Sequence, residues 1–141
     1  MLQFKDILVP LDFSFKNQTA VDIALDLARG NNAKVTLLHV IETIDLPGDR
    51  EVDGFVSQLK TKAGKNLEKM AKAFEDANVP VETTIRVGKR AQEIARFEQE
   101  NNIDLIVLSS HTIDAEHPAR SLATLSYQVA VLANCHVMLV K

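Results

Sequence analysis

Five short apolar runs alternate along the chain with four longer stretches in which apolar residues recur every three or four positions. The runs are "DILVPL" (6–11), "AKVTLLHV" (33–40), "VPVETTIRV" (79–87), "IDLIVLSS" (103–110) and "CHVMLVK" (135–141). Each has strand length, and most are rich in β-branched residues. Between the first two, "NQTAVDIALDLARG" (17–30) sets Ala20, Ile23, Ala24, Leu27 and Ala28 on one helical face and stops at Gly30, which suits a left-handed cap. The stretch 56–78 repeats the period with Val56, Leu59, Ala63, Leu67, Met70 and Phe74, and 89–102 and 121–134 supply two further helices. The order is βαβαβαβαβ.

Strictly alternating strands and helices imply a parallel sheet, because parallel neighbours need long, right-handed crossovers. The nearly continuous apolar runs at 6–11 and 103–110 fit strands covered on both faces. The expectation is a three-layer, doubly wound α/β fold with a five-stranded sheet, in one domain spanning 1–141. At 141 residues and 46% hydrophobic content the chain can bury one real core. Ligands of such sheets bind beyond the carboxyl ends of the strands, where the strand order reverses. An order 2-1-3-4-5 and an order 3-2-1-4-5 both satisfy the pattern. Under the second, Pro10, Leu11 and Asp12 face Ser109, Ser110 and His111 across the crevice.

Charge narrows the function. A net charge of -3, with Lys and Arg spread along the sequence, leaves no basic footprint for nucleic acid. The opening "MLQFKDILVPLDF" reaches Asp12 after too few apolar residues for a signal or a membrane span, so no membrane association is expected. The single cysteine, Cys135, has no partner for an internal disulfide or a CxxC site and suits a reducing compartment, the cytoplasm. One Tyr and no Trp leave little to stack on a flavin.

Several motifs then align in order. "ILVPLDFS" resembles the opening I-L-V-[AP]-x-D-x-S of universal stress proteins, and "AKVTLLHV" their second strand. "RVGKRAQEI" resembles their G-x-x-x-x-x-I entry to the third helix, "DLIVLSSH" their fourth strand, and "VAVLANCHVMLVK" their closing helix and strand. The resemblance implies the order 3-2-1-4-5, and a homodimer through the last strand, with His136, Val137, Met138, Leu139 and Val140 at the interface. It also implies an adenine-nucleotide crevice, for ATP or AMP with magnesium. Relatives that bind ATP carry G-x2-G-x9-G-[ST], whose glycines let backbone N–H groups reach the phosphates. Here Ser109, Thr112 and Ala123 stand at the three glycine positions and Thr124 at the hydroxyl position, with one extra residue in the spacer.

Other parts of the family's site are retained. Asp12 matches the acidic residue that contacts the nucleoside, and Val40 the strand residue beside the adenine. Ser110, His111, Arg120, Thr124 and Ser126 offer side-chain donors where backbone donors are lost, Arg120 being the strongest phosphate partner among them. The resemblance therefore implies a nonenzymatic stress-response regulator or partner-binding module with a weak or altered nucleotide crevice and an unidentified protein partner. The alternative is an ATP-binding switch or slow ATPase.

Plainer roles compete for the same residues. Asp12 and Ser14 suit a helix cap. His111 and His117 lack a third ligand for zinc. Adjacent Ser109, Ser110 and His111 lack the G-x-S-x-G frame of a nucleophile, so no catalytic residue is assigned. Cys135 reads as a small buried hydrophobe and His136 as a solvent-side or interface residue. The lysines of "KTKAGKNLEKMAK" (60–72) read as a solvated helix face, and the acidic stretch 41–54 as a linker or a lid over the crevice.

Overall fold

In the computed structural model, residues 3–42, 52–110, 116 and 124–141 are described. The elements are β1 (Asp6–Pro10), α1 (Asn17–Asn31), β2 (Lys34–Glu42), α2 (Val52–Asp76), β3 (Val81–Gly88), α3 (Arg90–Glu100), β4 (Leu105–Ser109), α4 (Leu125–Leu132) and β5 (His136–Val140). The five strands form one parallel sheet of order β3-β2-β1-β4-β5. This is the doubly wound α/β fold expected from the sequence, with the reversal between β1 and β4.

The alternation of side chains along each strand divides the core into two layers. Ile7, Val9, Leu37, Leu105 and Val107 face one way and pack with Ala20, Ala24, Leu67 and Phe74 of α1 and α2. Leu8, Leu38, Val40, Ile106 and Leu108 face the other way and pack with Ile94 and Phe97 of α3 and Val129 of α4. Ile7, Leu8 and Val9 are fully buried. Each contributes ~1.5–3 kcal/mol relative to leaving that side chain in water.

The first three helices end alike. Asn32, Asn78 and Asn102 take positive φ values of 55°, 59° and 53°. The next residue of each closes the end, with Ala33, Val79 and Ile103 donating N–H bonds back to the carbonyls of Ala28, Phe74 and Glu98 at 2.9, 2.9 and 3.0 Å. Asparagine tolerates the left-handed region because its short polar side chain adds little steric penalty there. The left-handed stop of α1 is therefore Asn32 rather than Gly30, which lies within the helix where an added Cβ would meet only open space.

The start of α3 depends on a missing Cβ. A methyl on Gly88 would lie 2.8 Å from Cγ of Glu93, a buried residue that is itself paired to Arg96 at 2.6 Å. The next link is electrostatic: the N–H of Arg90 donates to Glu42 Oε1 of β2 at 2.5 Å, an acidic partner at the positive end of the helix. Gly88 and Ile94 of the "G-x-x-x-x-x-I" pattern thus have packing roles. Gly88→Ala is expected to lower stability by about 1–3 kcal/mol through overpacking. The urea midpoint reads this, and a midpoint unchanged from wild type would mean that Glu93 gives way freely.

The two sheet edges differ. On β3, Glu82 pairs with Lys34 at 2.9 Å and Arg86 with Glu100 at 2.7 Å, the Arg86 guanidinium lying 4.9 Å from the Phe97 ring centre. On β5, Met138 and Leu139 are exposed on opposite faces, and the exposed His136 meets Phe4 edge-on with ring centres 6.0 Å apart.

Candidate functional site

The site grows out of a divergence of strands. β1 pairs with β2 along its whole length, to Pro10 opposite Leu38, but with β4 only at Ile7–Leu105 and Leu8–Ile106. Beyond Leu8 the two central strands separate, which opens a gap at the carboxyl edge of the sheet where the order reverses. Pro10, Leu11, Asp12, Val40 and Ser109 line this gap together, joined by Asn17, Leu38, Arg90, Ile94, Leu108 and Leu125.

One side chain bridges the gap. Asn17, 2% exposed at the first turn of α1, accepts N–H bonds from Asp12 and Phe13 on its Oδ1 at 3.0 and 2.8 Å, and its Nδ2 donates to Ser109 Oγ at 3.1 Å. It ties the β1–α1 loop to the end of β4. Ser109 Oγ also donates to the Lys16 carbonyl at 3.4 Å. The partly open cavity is about 30 Å³. That volume holds only about two waters.

Asp12 does not cap α1, which starts behind Lys16 without a side-chain cap. Its carboxylate instead accepts from the Ser14 N–H two residues on, at 2.9 Å. Partial burial works against its charge, but the hydrogen bonds from Ser14 and the nearby Arg90 guanidinium prevail and hold Asp12 below its ordinary range. It is a carboxylate at neutral pH.

Phe13 takes φ 65°, a region that a bulky residue seldom occupies. Its N–H bond to Asn17 and the stacking of its ring on His39, at 4.4 Å between centres and 29° between planes, hold it there. His39 Nδ1 lies 2.7 Å from the Leu11 carbonyl, which can only accept, so Nδ1 carries the proton. Burial lowers the His39 pKa and the Arg90 charge adds to this, against smaller opposing effects of the Leu11 bond and Asp12. The ring is therefore neutral at pH 7, with Nε2 as its acceptor.

The far side of the gap uses its hydroxyls locally. Thr124 Oγ1 accepts the Tyr127 N–H at 3.3 Å as the N-cap of α4, and buried Ser126 reaches Thr124 Oγ1 at 3.5 Å. Ser110 is buried, donates its N–H to the Val140 carbonyl at 2.8 Å and accepts from Lys141 Nζ at 3.4 Å, so it ties β4 to the end of the chain. His111, Thr112, Arg120 and Ala123 lie outside the described residues, as do 43–51 of the acidic stretch and the helical reading of 121–123. Cys135 is half-buried rather than fully buried, and burial with the charge of Glu98 raises its thiol pKa to about 11. It is a poor nucleophile at neutral pH.

Asn17, Phe13, His39 and Arg90 escape a reading of the sequence alone. Arg90 had a usable signal: two residues after Gly88, it falls at a helix N-terminus on the carboxyl edge of the sheet.

The universal stress protein family model matches residues 3–141. The chain belongs to this family. It is similar to the universal stress protein YxiE of Bacillus subtilis, 28% identical over 98% of this chain and 99% of the relative. The solved structure of MJ0577, a universal stress protein of Methanocaldococcus jannaschii, superposes with a TM-score of 0.80 at 28% identity, covering 99% of this chain and 97% of that one. A universal stress protein solved in complex with cAMP shares the fold, with a TM-score of 0.77 at 20% identity over 99% of this chain and 98% of that one. The order 3-2-1-4-5 expected from the resemblance is the observed one. Among the described residues no helix is long and apolar enough to cross a membrane.

Asn17→Ala removes an acceptor for two N–H groups and a donor to Ser109. The expected loss is roughly 1–3 kcal/mol of stability. A change below about 0.5 kcal/mol in denaturant unfolding would sink the bridging role.

Proposed function

We propose that this universal stress protein is a nonenzymatic regulatory module, in one domain, whose switch-point crevice takes an adenine nucleotide only weakly and whose output is the binding of a protein partner. The observation that carries the reading is the Asn17 bridge. It occupies the gap between β1 and β4 and leaves about 30 Å³, while Ser109, Thr112 and Ala123 add Cβ atoms where phosphate-binding relatives have glycine. The ionised Asp12 and the apolar wall of Val40, Ile94 and Leu108 remain as the nucleoside end of the crevice. The cAMP-bound relative supports an adenine nucleotide as the ligand class. His111, Thr112, Arg120 and Ala123 complete the proposed contacts through their sequence positions, with AMP or ATP and magnesium as candidate ligands, and the single cysteine, Cys135, supports a cytoplasmic setting.

Calorimetric titration with AMP and ATP, with and without magnesium, tests this. Expected is a dissociation constant above about 100 µM, equivalent to binding weaker than about −5.5 kcal/mol, abolished by Asp12→Ala. Tight binding would overturn the weak crevice, and unchanged affinity in the variant would contradict the assigned site.

The reading includes a homodimer. β5 is an apolar edge strand with Met138 and Leu139 exposed, whereas the β3 edge carries ion pairs. An unguarded edge of this kind pairs with another strand, and a twofold mate is the commonest solution. Leu139→Lys should convert a dimer to a folded monomer in sedimentation equilibrium. A dimer that persists in the variant would move the interface elsewhere.

A further inference from the structure

Exposed apolar surface is concentrated at one corner of the molecule. Among the described residues, Phe15 apart, every exposed large hydrophobic side chain lies on α4 or β5: Tyr127, Val131, Leu132, Met138 and Leu139. The sequence from Ser121 to Cys135 holds no Asp, Glu, Lys or Arg. The other helices turn charge to the solvent, with Asp22, Asp26 and Arg29 exposed on α1, Lys65, Glu68 and Lys72 on α2, and Arg96 and Glu100 on α3. On α4 the exposed stripe is Tyr127, Ala130 and Val131, at i, i+3 and i+4. An apolar helix face without charge, beside an unguarded strand, marks an interaction surface.

A homodimer paired through β5 needs more surface than the strand supplies. A ladder over the 5 residues of β5 is about 17 Å long and about 10 Å deep. It covers under about 300 Å² per partner, against roughly 800 Å² in a stable interface. The rest must come from a flank of the strand. Val137 and Leu139 point to the α4 side, where Val137 shares a core cluster with Val129. His136 and Met138 point to the other side, with Val140, and His136 is there engaged with Phe4. Symmetry brings the first flank onto itself, because antiparallel neighbours in a sheet are related by a twofold axis normal to it. α4 and its mate then lie on the same face. α3 packs along one side of α4, and the right-handed crossover from β4 to β5 sets its other side toward the open edge. With strands about 4.8 Å apart, the two copies of α4 come within about 10–15 Å, where large side chains meet.

We propose that the uncharged face of α4 is an interface for a second copy of this chain. The helix packs on its twofold mate through Tyr127, Ala130 and Val131, over a sheet continuous across both copies, with Leu139 beneath the contact. The inference rests on the homodimer reading and adds to it a helix face and a sidedness: the α4 flank of β5 is covered, and the Met138 flank stays in water.

Sedimentation equilibrium of the full chain and of three variants tests this. Each substitution acts twice, once in each copy. Expected is a dimer whose dissociation constant rises at least about tenfold in Tyr127→Ser and in Ala130→Glu, but less than about threefold in Met138→Ser. Tyr127, Ala130 and Met138 are exposed in the single chain, so the variants are expected to fold, and far-UV circular dichroism verifies it. A dimer as tight as wild type in Ala130→Glu overturns the helix interface, while its loss in Leu139→Lys would leave the β5 ladder standing. Equal weakening by Met138→Ser and Tyr127→Ser overturns the sidedness. A wild-type chain that is monomeric at about 100 µM overturns this inference and the homodimer reading together.

Discussion

The burial of β1 on both faces is the constraint from which the rest of the molecule follows. Ile7, Leu8 and Val9 have no exposure, so helices must cover both sides of the strand, and right-handed crossovers can place them there only if the chain winds outward from β1 in two directions. The reversal at β1 and β4 is the geometric result. It sends every loop that follows a strand to one edge, where the chain's freedom to build a site is concentrated.

What fills that edge is a competition between opening and closure. The divergence of β1 and β4 after Leu8 and Ile106 leaves backbone groups of Asp12 and Phe13 to be satisfied. A part-buried N–H without a partner is costly, so an acceptor for these groups is favoured. Asn17 meets that need from within the fold, and in doing so spans to Ser109. A glycine at 109 would have no hydroxyl to receive the Asn17 amide. Serine at 109 and the bridge are therefore two sides of one arrangement, which makes the narrow crevice a built feature of this chain.

The sequence reveals the architecture more readily than the site for a physical reason. Strands and helices are written as periodicities, and the runs at 6–11, 33–40, 79–87, 103–110 and 135–141 match the observed strands to within a few residues. The sheet order came from the family resemblance, since periodicity alone allowed two. Site contacts are single side chains that meet across long separations, such as Asn17 with Ser109, and no local pattern marks them. Asp12 was legible as a residue lining the gap yet its turn to Ser14 was not, because an Asp before a helix caps either the helix or its own loop. Gly30 misled for a similar reason: three asparagines, not a glycine, carry the left-handed stops.

Arg90 shows how packing far from a site can set its electrostatics. Gly88 leaves room for Glu93, Glu93 fixes the first turn of α3 with Arg96, and Glu42 holds the Arg90 N–H. These contacts fix the backbone of Arg90 at the edge of the crevice, beside Asp12. From there its charge helps keep Asp12 ionised and His39 neutral. A cation placed by backbone contacts on the carboxyl edge thus adds to the larger effects of burial and of the Ser14 and Leu11 hydrogen bonds on Asp12 and His39.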